Sequence, residues 1–142
     1  MIMNREQIRQ HMIAEEGLKL TLYKCPADKW TIGVGHNLES RGISEAIAMA
    51  ILDEDIDTCE RELKWHFPHW KDYPDEVQEV LIDLCFNMGI TKLMQFKQTI
   101  EYINEGLATG NYTKAATELM NSSYAQQLPN RAKRNHDKLF NA

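Results

Sequence analysis

The sequence predicts an α+β protein, mainly α-helical, with one small antiparallel sheet near its start. Alternation of period two is confined to residues 18–34, helical spacing of apolar residues fills most of the rest, and turn signals separate the two. No internal repeat, low-complexity segment or long linker interrupts this order, so 142 residues make one domain.

The elements follow in chain order. Asn4 caps a first helix, with Gln7 three residues later in a capping-box position. Ile8 and Met12 lie on one face, and four more residues along that stripe comes Glu16, before the helix stop Gly17. The stripe predicts an inward Glu16 at the negative end of the helix dipole, where burial and dipole both favour the protonated acid. Leu18, Leu20 and Leu22 alternate with polar residues and predict a half-buried strand. Lys24 to Lys29 reads as a turn, and Trp30, Ile32 and Val34 as a second strand closing a hairpin. A long helix is predicted from Ser44 to about Trp65, followed by the connector HFPHWKDYP. Val77, Val80, Leu81, Leu84 and Cys85 form a nearly continuous apolar helix face ended by Gly89. Further helices are predicted around Phe96 to Asn104, Tyr112 to Met120 and, after Pro129, Asn130 to Phe140.

Composition excludes several classes. At 43% hydrophobic and 26% charged residues the chain is neither disordered nor fibrous. No apolar run reaches the ~18–20 residues of a membrane span, and the charged start MIMNREQIRQHMIAEEG is no signal peptide. A net charge of −5 disfavours nucleic acid as partner. The acids crowd from Asp53 to Glu62, whereas Arg131, Lys133, Arg134 and Lys138 make the tail locally basic. Cys25, Cys59 and Cys85 show no C-x-x-C spacing, which argues against a disulfide framework or zinc site. Cys59 and Cys85 fit helix faces as small buried hydrophobes. His11, His66, His69 and His136 lack ligand spacing, and no metal or cofactor is expected.

Glu16 stands in a pattern: glutamate, eight residues, Cys25, five residues, Thr31. The stretch EGLKLTLYKCPADKWTIGVGH resembles the active-site segment of phage-type lysozymes, the T4-like endolysins, in the variant with cysteine in place of the usual aspartate. QQLPNRAKR resembles that family's carboxyl-terminal segment, and Phe86-Asn87-Met88-Gly89 and Phe96 fall between them in the right order. The resemblance spans roughly residues 4 to 138. It implies a two-lobed fold: a sheet lobe over about 17–43, a linking helix over about 44–65, and a helical lobe over about 75–142 plus the first helix. The groove between lobes would hold a glycan strand.

By the same resemblance, Glu16 is the general acid that protonates the glycosidic oxygen between N-acetylmuramic acid and N-acetylglucosamine. Cys25 and Thr31 assist attack by water. A free thiol is mostly neutral at pH 7, and nearby carboxylates would raise it further. A catalytic Cys25 must therefore ionise in the complex, relay a proton or attack as thiolate. Asp28, three residues on, is a candidate substitute carboxylate, or a residue that closes its own turn. His36 and Asp55 match a supporting pair, and Arg131 matches a basic residue facing the catalytic glutamate. Leu38, Phe86, Thr99 and Glu118 match glycan contacts, although Phe86 also fits a core position. Tyr124 stands where the family often has tryptophan. The implied partner is bacterial peptidoglycan, met by a monomer without stable membrane association. It would be made in the host cytoplasm and reach the wall by holin-type release. The alternatives are a lytic transglycosylase, which uses an internal sugar hydroxyl instead of water, or a catalytically inactive wall-binding module.

Overall fold

A computed structural model of the chain describes residues 3–142. The predicted α+β class holds: helices dominate, with one three-stranded antiparallel sheet. The chain divides into two compact units, the first ending at Ala50 and the second running from Ile51 to Ala142. The division falls inside α3 (Glu45–His66).

The first unit opens with α1 (Arg5–Glu16), started and stopped where the sequence places the signals. Asn4 Oδ1 accepts the Gln7 N–H at 3.0 Å, and the Gly17 N–H donates to Ile13 at φ 78°. The sheet is β1 (Lys19–Lys24), β2 (Trp30–Gly33) and β3 (His36–Asn37), in that order. Thr31 pairs with Tyr23 on one side and Asn37 on the other, and between Lys19 and Tyr23 the β1 ladder is irregular. The short helix α2 (Leu38–Arg41) follows, capped by Asn37 Oδ1 on the Ser40 N–H.

Two burial expectations fail in this unit. Ile8 and Met12 are exposed, and α1 buries none of its residues. Leu18, Leu20 and Leu22 are exposed as well. The hairpin forms, but its covered face is the one carrying Thr31; no element of the unit covers the leucine face. Thr31, at 2% exposure, is the one buried residue among those described in residues 3–50.

The second unit holds the core. After α3 come a 3₁₀ turn (Trp70–Asp72), α4 (Asp75–Met88), α5 (Ile90–Leu93), α6 (Lys97–Thr109), α7 (Thr113–Met120), α8 (Ser123–Gln127) and α9 (Pro129–Phe140). All five residues of the predicted α4 face are buried, as is Cys59 on α3. The proline-bracketed connector is more than a linker. Phe67, Trp70 and Tyr73 fold inward, with Tyr73 edge-on to both other rings. Gly106 lets α6 approach the Tyr112 ring, for a Cβ there would lie 2.2 Å from the ring edge. Pro129 occupies the first turn of α9, where its missing N–H costs nothing.

Candidate active site

Glu16 is the last residue of α1 and is exposed. Its position is set by the β2–β3 turn. Gly35 has φ 63°, and a Cβ built on it would stand 2.7 Å from Glu16 Oε2 and 2.9 Å from the carboxyl carbon. The carboxylate thus rests against bare backbone, a closeness only glycine permits. The motif TIGVGH contains this glycine, but nothing in the sequence says what lies over it.

Cys25 begins the turn into β2. Its N–H donates to the Lys29 carbonyl at 3.0 Å, and its carbonyl accepts the Asp28 N–H at 2.8 Å, with Asp28 left-handed at φ 61°. Asp28 is thus a turn residue, and its largely exposed carboxylate lies 3.8 Å from Lys24 Nζ. The expectation that carboxylates raise the thiol is reversed. The Lys29 backbone N–H holds Cys25 below the usual thiol range. Partial desolvation opposes this, but the Ala27 N–H, the Thr31 hydroxyl and Cys25's own N–H act with Lys29. A tight turn aims its amides inward at the sulfur while its carboxylate faces water.

Thr31 Oγ1 donates to the Lys29 carbonyl at 2.8 Å. A hydroxyl has one proton, so Thr31 either keeps this bond or turns it to the Cys25 thiolate. His36 Nε2 donates to the Gly42 carbonyl at 2.6 Å, which fixes the ring beside α2. Leu38, the first residue of α2, is half-buried.

The remaining predicted residues lie in the second unit, and four of them fall into two groups. Thr99 (buried) and Glu118 (half-buried) meet in a shallow cavity of about 350 Å³ with Phe96, Gln98 and Ser122. Phe86 and Arg131 line another of about 400 Å³ with Leu52, Ile56 and Ile82. At 45% exposure, Phe86 is a wall residue and not core. Asp55 is on the exposed side of α3.

Sequence reasoning missed what holds Arg131. Asp83 accepts its Nε at 3.1 Å and its Nη2 at 2.7 Å, a two-pronged clamp, and also Asn135 Nδ2 at 2.6 Å. Asn135 in turn donates to the buried Tyr124 hydroxyl at 3.0 Å. Burial pushes the Asp83 carboxyl up, but the Arg131 and Asn135 hydrogen bonds, with the charges of Arg131 and Lys138, hold it below the ordinary range. A lone aspartate beside the apolar α4 face was the available signal.

The sign of the pH effect follows from that lowered value. Unfolded Asp83 protonates near pH 4, folded Asp83 only at lower pH. Its stabilisation is present at neutral pH and is lost as pH falls below about 4 through the native value. Asp83→Ala is expected to cost about 2 kcal/mol at pH 7. Melting temperatures taken from pH 7 to pH 2 should converge with the wild type at the acid end.

Comparison with known proteins adds an independent line. The model of the phage lysozyme family matches residues 13–137. A protein named probable T4-type lysozyme 1 from Dictyostelium discoideum is 22% identical over 89% of each chain. An endolysin of Acyrthosiphon pisum secondary endosymbiont phage 1 is 32% identical over 78% of this chain and 73% of its own. A SAR-endolysin of Escherichia phage P1 is 30% identical over 57% of this chain and 45% of its own.

Proposed function

Because the chain belongs to the phage lysozyme family, and is therefore a peptidoglycan-hydrolysing glycosidase, we propose that Glu16 is its general acid and that Cys25 and Thr31 assist attack by water. The bond cut is the β-1,4 link between N-acetylmuramic acid and N-acetylglucosamine. The observation that carries this reading is the Glu16 carboxylate held against the Gly35 backbone, on the unit that also presents Cys25 and Thr31.

In its acid form Glu16 donates a proton to the glycosidic oxygen as the bond to the anomeric carbon breaks. The developing oxocarbenium ion needs a nearby negative charge or a base-activated water. A carboxylate would serve; here the turn's amides lower the Cys25 thiol and favour its thiolate form. Cys25 takes a proton from water, and the Thr31 hydroxyl fixes that water or the sulfur. Leu38, Phe86, Thr99 and Glu118 are read as glycan contacts, and His36, Asp55 and Arg131 as supports of the site. As an endolysin it would act as a monomer made in the host cytoplasm and released to the wall through a holin-type lesion.

Borohydride reduction of peptidoglycan digests tests the bond assignment. N-acetylmuramitol should appear with time, and N-acetylglucosaminitol alone would refute it. The thiol role has its own test. Cys25→Ala is expected to lose roughly 100-fold or more in kcat/KM, and Cys25→Asp to stay within about 10-fold of wild type. The wild-type rate should rise with pH through thiol ionisation, below the usual thiol range, and Cys25→Asp should lack that limb. Equal rates for Cys25→Ala and wild type would make the thiol a spectator.

A further inference from the structure

The turn that carries Cys25 and the strand that carries Thr31 meet at one peptide carbonyl, that of Lys29. It accepts the Cys25 N–H at 3.0 Å and the Thr31 hydroxyl at 2.8 Å. Where this carbonyl stands, the sulfur and the hydroxyl follow. The residue before it, Asp28, is left-handed at φ 61°, a conformation that side-chain-bearing residues seldom adopt without outside support.

Such support comes from the Lys29 side chain, which reaches out of the turn. Its Nζ lies 3.2 Å from Glu39 Oε2 on α2. That helix is a fixed post, capped by Asn37 Oδ1 at one end and tied by the Gly42 carbonyl to the His36 ring at the other. The Lys29 ammonium holds the Glu39 carboxyl below the ordinary carboxylate range, so the pair stays charged at neutral pH.

We propose that Glu39 is a positioning residue: by holding the Lys29 side chain, it fixes the peptide carbonyl to which both Cys25 and Thr31 are bonded. The inference rests on the catalytic reading of those two residues. Both members of the pair are exposed, and exposed pairs contribute little to stability. The role of the pair is therefore geometric, and its loss falls on rate. Position and charge make opposite predictions here. As a bare charge Glu39 opposes a nearby thiolate and Lys29 favours one, so Glu39→Gln would lower the Cys25 thiol and Lys29→Met would raise it. As a tether, either change lets the turn's amides drift from the sulfur, and both raise the thiol.

The test compares the full chain with Glu39→Gln, Lys29→Met and the double variant. Alkylation by iodoacetamide is followed against pH on the peptide that carries Cys25, and kcat and KM are measured on soluble peptidoglycan fragments. Each single variant should move the thiol titration to higher pH and slow alkylation at pH 7 by about 3-fold. Each should lower kcat by about 5- to 10-fold and keep KM within about 2-fold. The double variant should be no worse than either single one, since both changes cut the same tether. Melting temperatures should stay within a degree or two of wild type. A thiol titration that falls or stays in Glu39→Gln, or losses that multiply in the double variant, would overturn the proposal. Cys25→Ala at the wild-type rate would instead strike the catalytic reading itself. A slow Cys25→Ala beside an unaltered Glu39→Gln would strike Glu39 alone.

Discussion

Glu16→Gln is expected to lower peptidoglycan cleavage by about 10³-fold while leaving the melting temperature within a degree or two of wild type. The amide matches the carboxyl in shape but cannot release a proton to the leaving oxygen. Glu16 is exposed and ends its helix, so the fold does not depend on its charge. A turbidity assay on chloroform-treated cells, read beside thermal melts, separates the two effects. Full activity in this variant would remove the general acid from the account.

Gly35→Ala is the second large effect, and its loss should fall on rate more than on stability. The new methyl would meet Glu16 Oε2 at 2.7 Å, and the atom in its way is the end of a flexible side chain. The carboxylate therefore swings aside and the backbone stays. An acid displaced by about 1 Å can lose roughly 100-fold in rate. The positive φ adds a stability cost of about 1 kcal/mol. Gly110→Ala, at the end of α6, is the internal control: it shares a positive φ, 69°, but a Cβ there meets nothing within 4 Å. It should cost comparable stability and little activity. Comparable losses of kcat/KM in the two variants would contradict the role assigned to Gly35.

The contrast between these glycines shows how far the sequence could be read. Asn4, Gly17 and Gly89 announce helix ends because capping is local, and each acts where expected. The α4 face was legible because the apolar spacing from Val77 to Cys85 leaves one orientation. Helices α2, α5 and α8, of four or five residues, are too short for a period to register. Alternation at Leu18, Leu20 and Leu22 gave the strand but not its covered face, which depends on what packs above the sheet.

The candidate site divides in the same way. Glu16, Cys25 and Thr31 were found through a local pattern with fixed spacing. The Glu16–Gly35 approach and the Asp83 clamp on Arg131 join residues far apart in sequence. Cys25 shows the limit most plainly. Counting nearby carboxylates predicts a raised thiol, whereas the turn's inward amides lower it. Side-chain identity was on view in the sequence, and backbone direction was not.

The central claim is that Glu16 protonates the leaving sugar while water, and not a sugar hydroxyl, takes its place. Digestion of purified peptidoglycan in ¹⁸O-labelled water, with mass spectrometry of the fragments, tests it most directly. The account predicts reducing-end N-acetylmuramic acid about 2 Da heavier than the product made in ordinary water, after correction for slow exchange at the anomeric carbon. Unlabelled fragments ending in a 1,6-anhydro sugar would contradict it and make the chain a lytic transglycosylase.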